Sequence, residues 1–348
     1  MEVQNIEAFL SVSWPNIFYL SGFTGSSGFI CVTEKAAHLY TDFRYLQQAA
    51  AEAPGFEIVK VSSKEDFSLL AAFISKSGIK NIVIEDEIFT VRNYNRLQDA
   101  VQGKGVELVL RTGFLEDVRA LKDEAEIEKI TAAAHIADQA FLQILPLLKA
   151  GMRETEVALE LEYRLRKGGS LRNPFEIIVA SGPRSALPHG LASGRVINEG
   201  ELIVMDFGAV FEGYCSDITR TFLLGAPDDK QKTVYDMVLE AQRLALESIE
   251  IGQSTVYLDG VARKHFDKLG YASYFGHGLG HGVGLEVHEF PTLSPLKDTP
   301  LSAGMVFTIE PGLYIEGWGG VRIEDLVVLR EDGPQILTAS PKELDYML

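Results

Sequence analysis

Three of the chain's seven histidines, His277, His281 and His288, fall within residues 276–289, Gly-His-Gly-Leu-Gly-His-Gly-Val-Gly-Leu-Glu-Val-His-Glu. Glycines flank two of them, which lets backbone come close to something small. A glycine-rich loop with histidines satisfied in a core is the structural alternative. The company of two acidic pairs, Asp206 with Asp217 and Glu310 with Glu324, argues against it. Four carboxylates and one imidazole make an oxygen-rich ligand set that suits manganese, cobalt, iron or zinc better than a thiol site would. Their formal charge offsets two divalent ions. Ions held about 3.5–4 Å apart share a water, lower its pKa and polarise a carbonyl, which is the chemistry of metal-assisted amide hydrolysis.

Such residues need strands that bring them together. Residues 202–210 and 215–224 are strand-like and joined by Phe211-Glu212-Gly213-Tyr214, an acceptable hairpin connection. Folded between Phe211 and Glu212, this hairpin sets Asp206 opposite Asp217, with Cβ atoms about 4.5–5.5 Å apart, a destabilising pairing of like charges unless a cation compensates. Four apolar residues precede Asp206, so its strand is buried, and a buried carboxylate must be paired, protonated or metal-bound. Downstream, residues 305–311 and 320–329 flank the turn-rich stretch 316–319, and a hairpin centred on Gly317 sets Glu310 opposite Glu324. Arg322, two residues before Glu324, shares its side of the strand. It either steadies the carboxylates or orders histidine and substrate contacts.

The rest of the chain supplies two domains, since 348 residues exceed the roughly 250–300 at which single cores stop growing. A boundary fits near Arg111-Thr112-Gly113, giving domains of residues 1–113 and 114–348. In the first, strand-like runs at 17–20, 28–32, 38–41, 57–61 and 82–84 alternate with helical spacing at 67–77 and 94–101, an α/β layer. The glycine-rich stretch 22–28 lacks the lysine and the following helix of a phosphate loop. In the second, residues 115–148 carry a long helical pattern, breakable near Leu121-Lys122-Asp123, and residues 154–167, 229–250 and 254–269 carry others. The order helix, helix, strand pair occurs roughly twice there.

Composition narrows the partners. A net charge of −17 with no basic run opposes binding to nucleic acid or anionic lipid. No run approaches the ~18 apolar residues of a membrane helix, and the start lacks a secretory pattern, so a soluble, cytoplasmic protein is expected. Two distant cysteines, Cys31 and Cys215, are expected to be reduced and buried.

Four motifs together resemble the Xaa-Pro peptidase group, aminopeptidase P and prolidase, within the pita-bread metallopeptidases. They are Met-Asp-Phe-Gly followed by Tyr-Cys-Ser-Asp-Ile-Thr-Arg-Thr, the histidine stretch itself, Phe-Thr-Ile-Glu-Pro-Gly-Leu-Tyr, and Gly-Gly-Val-Arg-Ile-Glu-Asp. The similarity spans essentially the whole chain, including Tyr-Leu-Ser-Gly-Phe-Thr-Gly-Ser and Thr-Asp-Phe-Arg-Tyr, although the lead-in before that first stretch is short for the family. The resemblance implies an α/β creatinase/prolidase-like N-terminal domain and an α+β pita-bread catalytic domain. It implies two divalent metal ions, manganese first, with cobalt, zinc or iron as alternatives, on Asp206, Asp217, His281, Glu310 and Glu324. Asp217 and Glu324 are implied to bridge and Glu310 to take the proton of the attacking water. His189, His277 and His288 match the non-ligand histidines of the substrate cleft, with His288 placed for an oxyanion and His277 for substrate contact.

The implied activity is removal of a residue preceding proline, with proline-containing peptides as substrates and a homodimer as the family's usual assembly. Some resembling prolidases carry an arginine where this chain has Thr292, which favours aminopeptidase over dipeptidase. Methionine aminopeptidase usually lacks a separate N-terminal domain. A catalytically silent binding protein of the same fold would usually lack ligands, and none is missing here.

Overall fold

In the computed structural model, which describes residues 6–342 and Leu344, contacts divide the chain into two compact units, Met1–Val118 and Arg119–Leu348. The first contains β1 (Ala8–Ser11), α1 (Trp14–Ser21), β2 (Phe29–Thr33), β3 (Ala37–Thr41), α2 (Leu46–Glu52), β4 (Glu57–Lys60), α3 (Ser68–Ser77), β5 (Asn81–Glu85), α4 (Val91–Val101) and β6 (Glu107–Arg111). A short helix, α5 (Glu116–Arg119), runs across the boundary. The six strands form one mixed sheet in the order β4-β3-β2-β1-β5-β6. Its faces are covered by helices because Leu70, Ile74 and Leu97 on one side, and Ile17 and Ala49 on the other, are buried against strand residues such as Leu10, Ile30 and Leu39.

One segment differs from expectation. Residues 17–20, read as a strand, lie inside α1. Proline at the first turn suits a helix start, and Gly22 closes the helix at φ 76°, a left-handed conformation that costs glycine little. Local capping overrides the strand-like composition of Ile17-Phe18-Tyr19-Leu20.

The second unit begins with α6 (Glu124–Ile144) and α7 (Glu154–Lys167), followed by β7 (Ile178–Ser181), β8 (Leu202–Phe207), β9 (Val210–Phe211), β10 (Tyr214–Cys215) and β11 (Ile218–Leu223). Then come α8 (Asp229–Glu247) and α9 (Thr255–Lys268), and β12 (Gly280–Gly282), β13 (Glu289–Leu293), β14 (Val306–Ile309), β15 (Gly312–Ile315), β16 (Gly319–Arg322), β17 (Asp325–Arg330) and β18 (Gly333–Ile336). The helix, helix, strands order thus occurs twice. The break expected near residues 121–123 is there, because Asp123 caps α6 by accepting from the Glu126 amide while Glu126 returns the bond, a capping box.

Each half has its own core. Ala137, Phe141 and Ile144 of α6, with Leu161 of α7, pack on Met205, Phe207 and Phe222, while Val234, Val238, Leu258 and Phe266 pack on Phe307, Val327 and Leu329. Side chains of this size, fully buried, each contribute on the order of 1.5–3 kcal/mol. Asp206 lies in β8 of the sheet β11-β8-β7 and Asp217 just before β11, with Glu310 just after β14 and Glu324 just before β17 of the sheet β13-β12-β14-β17-β18.

Candidate metal centre

The upstream hairpin turns through Glu212 at φ 46° and Gly213 at φ 90°, two positive φ values in succession. That two-residue turn matches strand twist and centres the hairpin between those residues. Asp206 therefore faces Thr219, not Asp217 as the sequence alone suggested. The correction is a slip of two positions, and because side chains alternate with a period of two, both aspartates stay on one face as diagonal neighbours. The two-residue register also puts Thr219 between the acids of the two hairpins. Its hydroxyl donates to Glu324 Oε2 at 2.6 Å and accepts from Arg322 Nε at 2.9 Å.

The downstream hairpin keeps the expected register. β15 pairs with β16 so that Gly312 faces Arg322, and β14 pairs with β17 so that Ile309 faces Asp325. Glu310 and Glu324 fall in the gap between these two ladders. Backbone bonding explains the gap, since the Glu310 amide donates to Leu279 and the Glu324 amide to Thr219. Arg322 Nη2 donates to Asp206 Oδ2 at 2.6 Å, and its other nitrogen donates to the Tyr314 hydroxyl at 2.9 Å and to Pro188 O at 3.0 Å.

His281 stands on β12, where Gly280 is obligatory, since a Cβ there would lie 2.0 Å from Thr308 O. The His281 amide bonds the Thr308 hydroxyl, which in turn donates to Glu310 at 3.2 Å. His281 Nε2 lies 3.5 Å from Asp217 Oδ2 and 3.4 Å from Glu310 Oε1. Ligand atoms of Asp217, His281 and Glu324 all fall within 4.8 Å of one another. Asp206 Oδ1 and Asp217 Oδ1 are buried with no hydrogen-bond partner. Orphaned carboxylate oxygens in a buried site fit a divalent cation, since each would otherwise carry an uncompensated desolvation cost.

The other histidines are placed differently from one another. His277 is part-buried, with Nε2 2.9 Å from the Tyr314 hydroxyl and Nδ1 2.7 Å from Gly278 O. His288 is exposed, its ring centroid 4.2 Å from that of His281. His189 is also exposed, next to the Pro188 carbonyl that Arg322 holds, and near enough to His288 for their charges to repel. Tyr314, Thr219 and Thr308 were not singled out in the sequence. Thr219 and Thr308 sit two residues from Asp217 and Glu310, the spacing that puts strand residues on one face.

Electrostatics follow from crowding. Burial pushes the Asp217 carboxyl well above the usual range, with Glu324, Asp206 and Glu310 adding to the effect. Burial likewise raises Glu324, helped by Glu310 and Asp206, and raises Glu310. Burial lowers His281 and His277, and partial desolvation beside the His281 ring lowers the otherwise exposed His288, so their imidazoles favour the neutral form that can ligate or donate one N–H. Burial pushes the Tyr314 hydroxyl up to about 12, so it remains a hydrogen-bond donor.

The two-fold helix-and-sheet arrangement is the pita-bread fold, preceded by a creatinase-type α/β unit. The Metallopeptidase family M24 profile matches residues 128–331, and that of the Creatinase/Prolidase N-terminal domain matches residues 1–121. The chain belongs to metallopeptidase family M24 and is a hydrolase of that class. It is 40% identical to a Xaa-Pro dipeptidase of Pyrococcus horikoshii over 99% of this chain and 96% of the relative. Among solved structures it is similar to a Xaa-Pro dipeptidase from Bacillus anthracis, with TM-score 0.93 and 42% identity over 97% of this chain and 94% of that one. It is also similar to an X-Pro aminopeptidase from Thermotoga maritima, with TM-score 0.91 and 44% identity over 97% of each.

Both cysteines are free and buried, as expected. Among the described residues no helix is long and apolar enough to cross a membrane.

Proposed function

We propose that the protein is a Xaa-Pro exopeptidase that hydrolyses the bond between an N-terminal residue and a following proline. The observation that carries this reading is the convergence of Asp206, Asp217, His281, Glu310 and Glu324, with two buried aspartate oxygens left without partners. These five residues would hold two divalent ions, with manganese proposed first and cobalt, zinc or iron as alternatives. Bound there, the ions supply an acidified water and a Lewis acid for the scissile carbonyl.

The chain's own groups do the rest. Glu310, as a carboxylate whose proton affinity burial raises, would accept the proton of the attacking water and pass it toward the leaving nitrogen. A proline nitrogen is tertiary in the substrate and must gain that proton to depart. His288, exposed beside His281, donates N–H to the developing oxyanion, and His189 and His277 line the cleft. Arg322 orients Asp206 and Tyr314, and Tyr314 orients His277.

The relatives' names include both a dipeptidase and an aminopeptidase, so the choice rests on this chain's residues. Thr292 faces His281 directly across β12 and β13, and cross-strand partners share a face about 4.5–5.5 Å apart. A short neutral side chain there offers nothing to hold a free proline carboxylate, which favours substrates that continue beyond proline. The deciding experiment is a metal-dependent assay on Xaa-Pro and Xaa-Pro-Yaa peptides. Turnover of the longer peptides supports the aminopeptidase reading, activity confined to dipeptides reverses it to prolidase, and inactivity on both in the presence of every divalent metal ends it. A homodimer in the cytoplasm completes the proposal, and light scattering tests the assembly.

A further inference from the structure

A buried ionic cluster lies behind His288 that no step of the proposed reaction uses. Glu289, which follows His288 directly, has a side chain only 5% exposed. Arg119 Nη2 and Lys122 Nζ both donate to it, the lysine at 3.3 Å, and these two cations are themselves 3% and 1% exposed. Arg119 also donates to Glu286 at 2.9 Å, and the Glu286 amide donates to Glu289 Oε1 at 3.0 Å, closing the turn over residues 286–289. Gly284 leaves the room this requires, since a Cβ there would come 2.4 Å from Glu289 Oε2. The start of the same loop is pinned by Cys215, whose amide donates to Gly284 O at 2.7 Å and whose thiol meets Leu285 O at 3.6 Å.

Burying two cations around one carboxylate costs several kcal/mol of desolvation per ion, and an apolar filling of similar volume would serve stability as well or better. Burial keeps the Lys122 ammonium below its usual range despite the adjacent Glu289. What the cluster provides that an apolar filling would not is direction. Three donors on one carboxylate fix the Glu289 side chain, and with it the backbone one residue away from an otherwise exposed imidazole. Loops that carry reacting groups are ordinarily mobile, and a misplacement on the order of 1 Å can cost a hundredfold in rate.

We propose that Arg119 and Lys122 are positioning residues for His288, acting through Glu289 to hold its imidazole against His281. The consequence for turnover rests on the oxyanion role given to His288 above, whereas the positioning itself does not. The test uses full-length Lys122→Met and the charge-balanced double variant Lys122→Met/Glu289→Gln, in which Arg119 still faces Glu286. Zinc-loaded protein labelled at histidine is followed by ring NMR, with His288 assigned through His288→Asn, beside steady-state kinetics, metal content and melting temperature.

In both variants the His288 ring resonances are expected to shift and broaden. At wild-type metal content, kcat is expected to fall about ten- to a hundredfold, as for other groups that orient a reacting residue, with KM changed less than the rate. Recovery of wild-type ring resonances and kcat in the double variant would show that the cluster only balances charge, and would overturn the proposal. So would a lowered melting temperature with unchanged rings and kcat in Lys122→Met. Shifted rings in a protein whose wild type cleaves no Xaa-Pro peptide would uphold the positioning and sink the functional reading instead.

Discussion

The Arg322 guanidinium, from the downstream hairpin, grips the Asp206 carboxylate of the upstream one at 2.6 Å, with side chains only 4% and 15% exposed. One oxygen of Asp206 is thereby fixed by a charge-assisted bond while the other, Oδ1, is buried without a hydrogen-bond partner. The cation also reaches Tyr314, Thr219 and Pro188, so one side chain aligns elements from three parts of the chain. Arg322→Lys keeps the charge but loses the planar fork. We expect kcat to fall about ten- to a hundredfold with metal still bound, the range typical of partners that orient a ligand. Wild-type kcat in Arg322→Lys, at equal metal content, would show that only the charge matters.

Ligands and helpers separate by metal content. Asp217→Ala and Glu324→Ala each remove one of three groups whose ligand atoms lie within 4.8 Å of one another, and both are expected to lose metal and all activity. His288→Ala is expected to keep its metal and lose about a hundred- to a thousandfold in kcat, the usual cost of an oxyanion donor. Elemental analysis of the purified variants decides, and equal metal loss in all three contradicts the division.

Stability of the metal-free protein should fall as pH rises. Asp217, Glu310 and Glu324 have pKa values raised above their unfolded values by burial and mutual repulsion. Between the unfolded and the folded values, the native state binds more protons than the unfolded one, so stability declines with pH across that window. In chelator-treated protein the melting temperature is expected to drop from mildly acid pH upward, and a divalent ion should restore it most at the high end. Binding of the ion should also release protons, which calorimetry in buffers of different ionisation enthalpy measures. A melting temperature that climbs steadily with pH in the absence of metal would contradict the crowding of these acids.

Behind the centre, Arg220 is fully buried and donates to Asp325 Oδ1 at 2.8 Å and to Ser340 O at 2.8 and 3.1 Å. It also donates to the Thr219 and Glu324 carbonyls, so it ties the C-terminal segment to the backbone of both ligand strands. Arg220→Met leaves Asp325 buried with Lys342 as its remaining ion-pair partner, 2.6 Å away. Breaking such a pair costs about 3–5 kcal/mol. Urea unfolding of the metal-loaded variant should show that loss. A change below about 1 kcal/mol would place this pair with the weak surface bridges instead.

The sequence by itself determined the inventory: that two acidic pairs ride on hairpins beside a histidine-rich stretch, and that helices and strands alternate in two halves. These are local matters, set by side-chain periodicity, turn residues and caps, and the hairpin about Gly317 followed them to the residue. Where a local rule was applied to the wrong turn geometry, as between Phe211 and Tyr214, the register slipped by two, yet the period of a strand kept Asp206 and Asp217 on the same face. The partners of those residues were decided only by tertiary structure. Tyr314 under His277, Thr219 under Glu324, and Arg119 and Lys122 behind Glu289 come from segments far apart in sequence. A hydroxyl or a cation has no periodic signature, and its meeting with a buried carboxylate depends on how separate strands and loops pack, which a linear pattern does not encode.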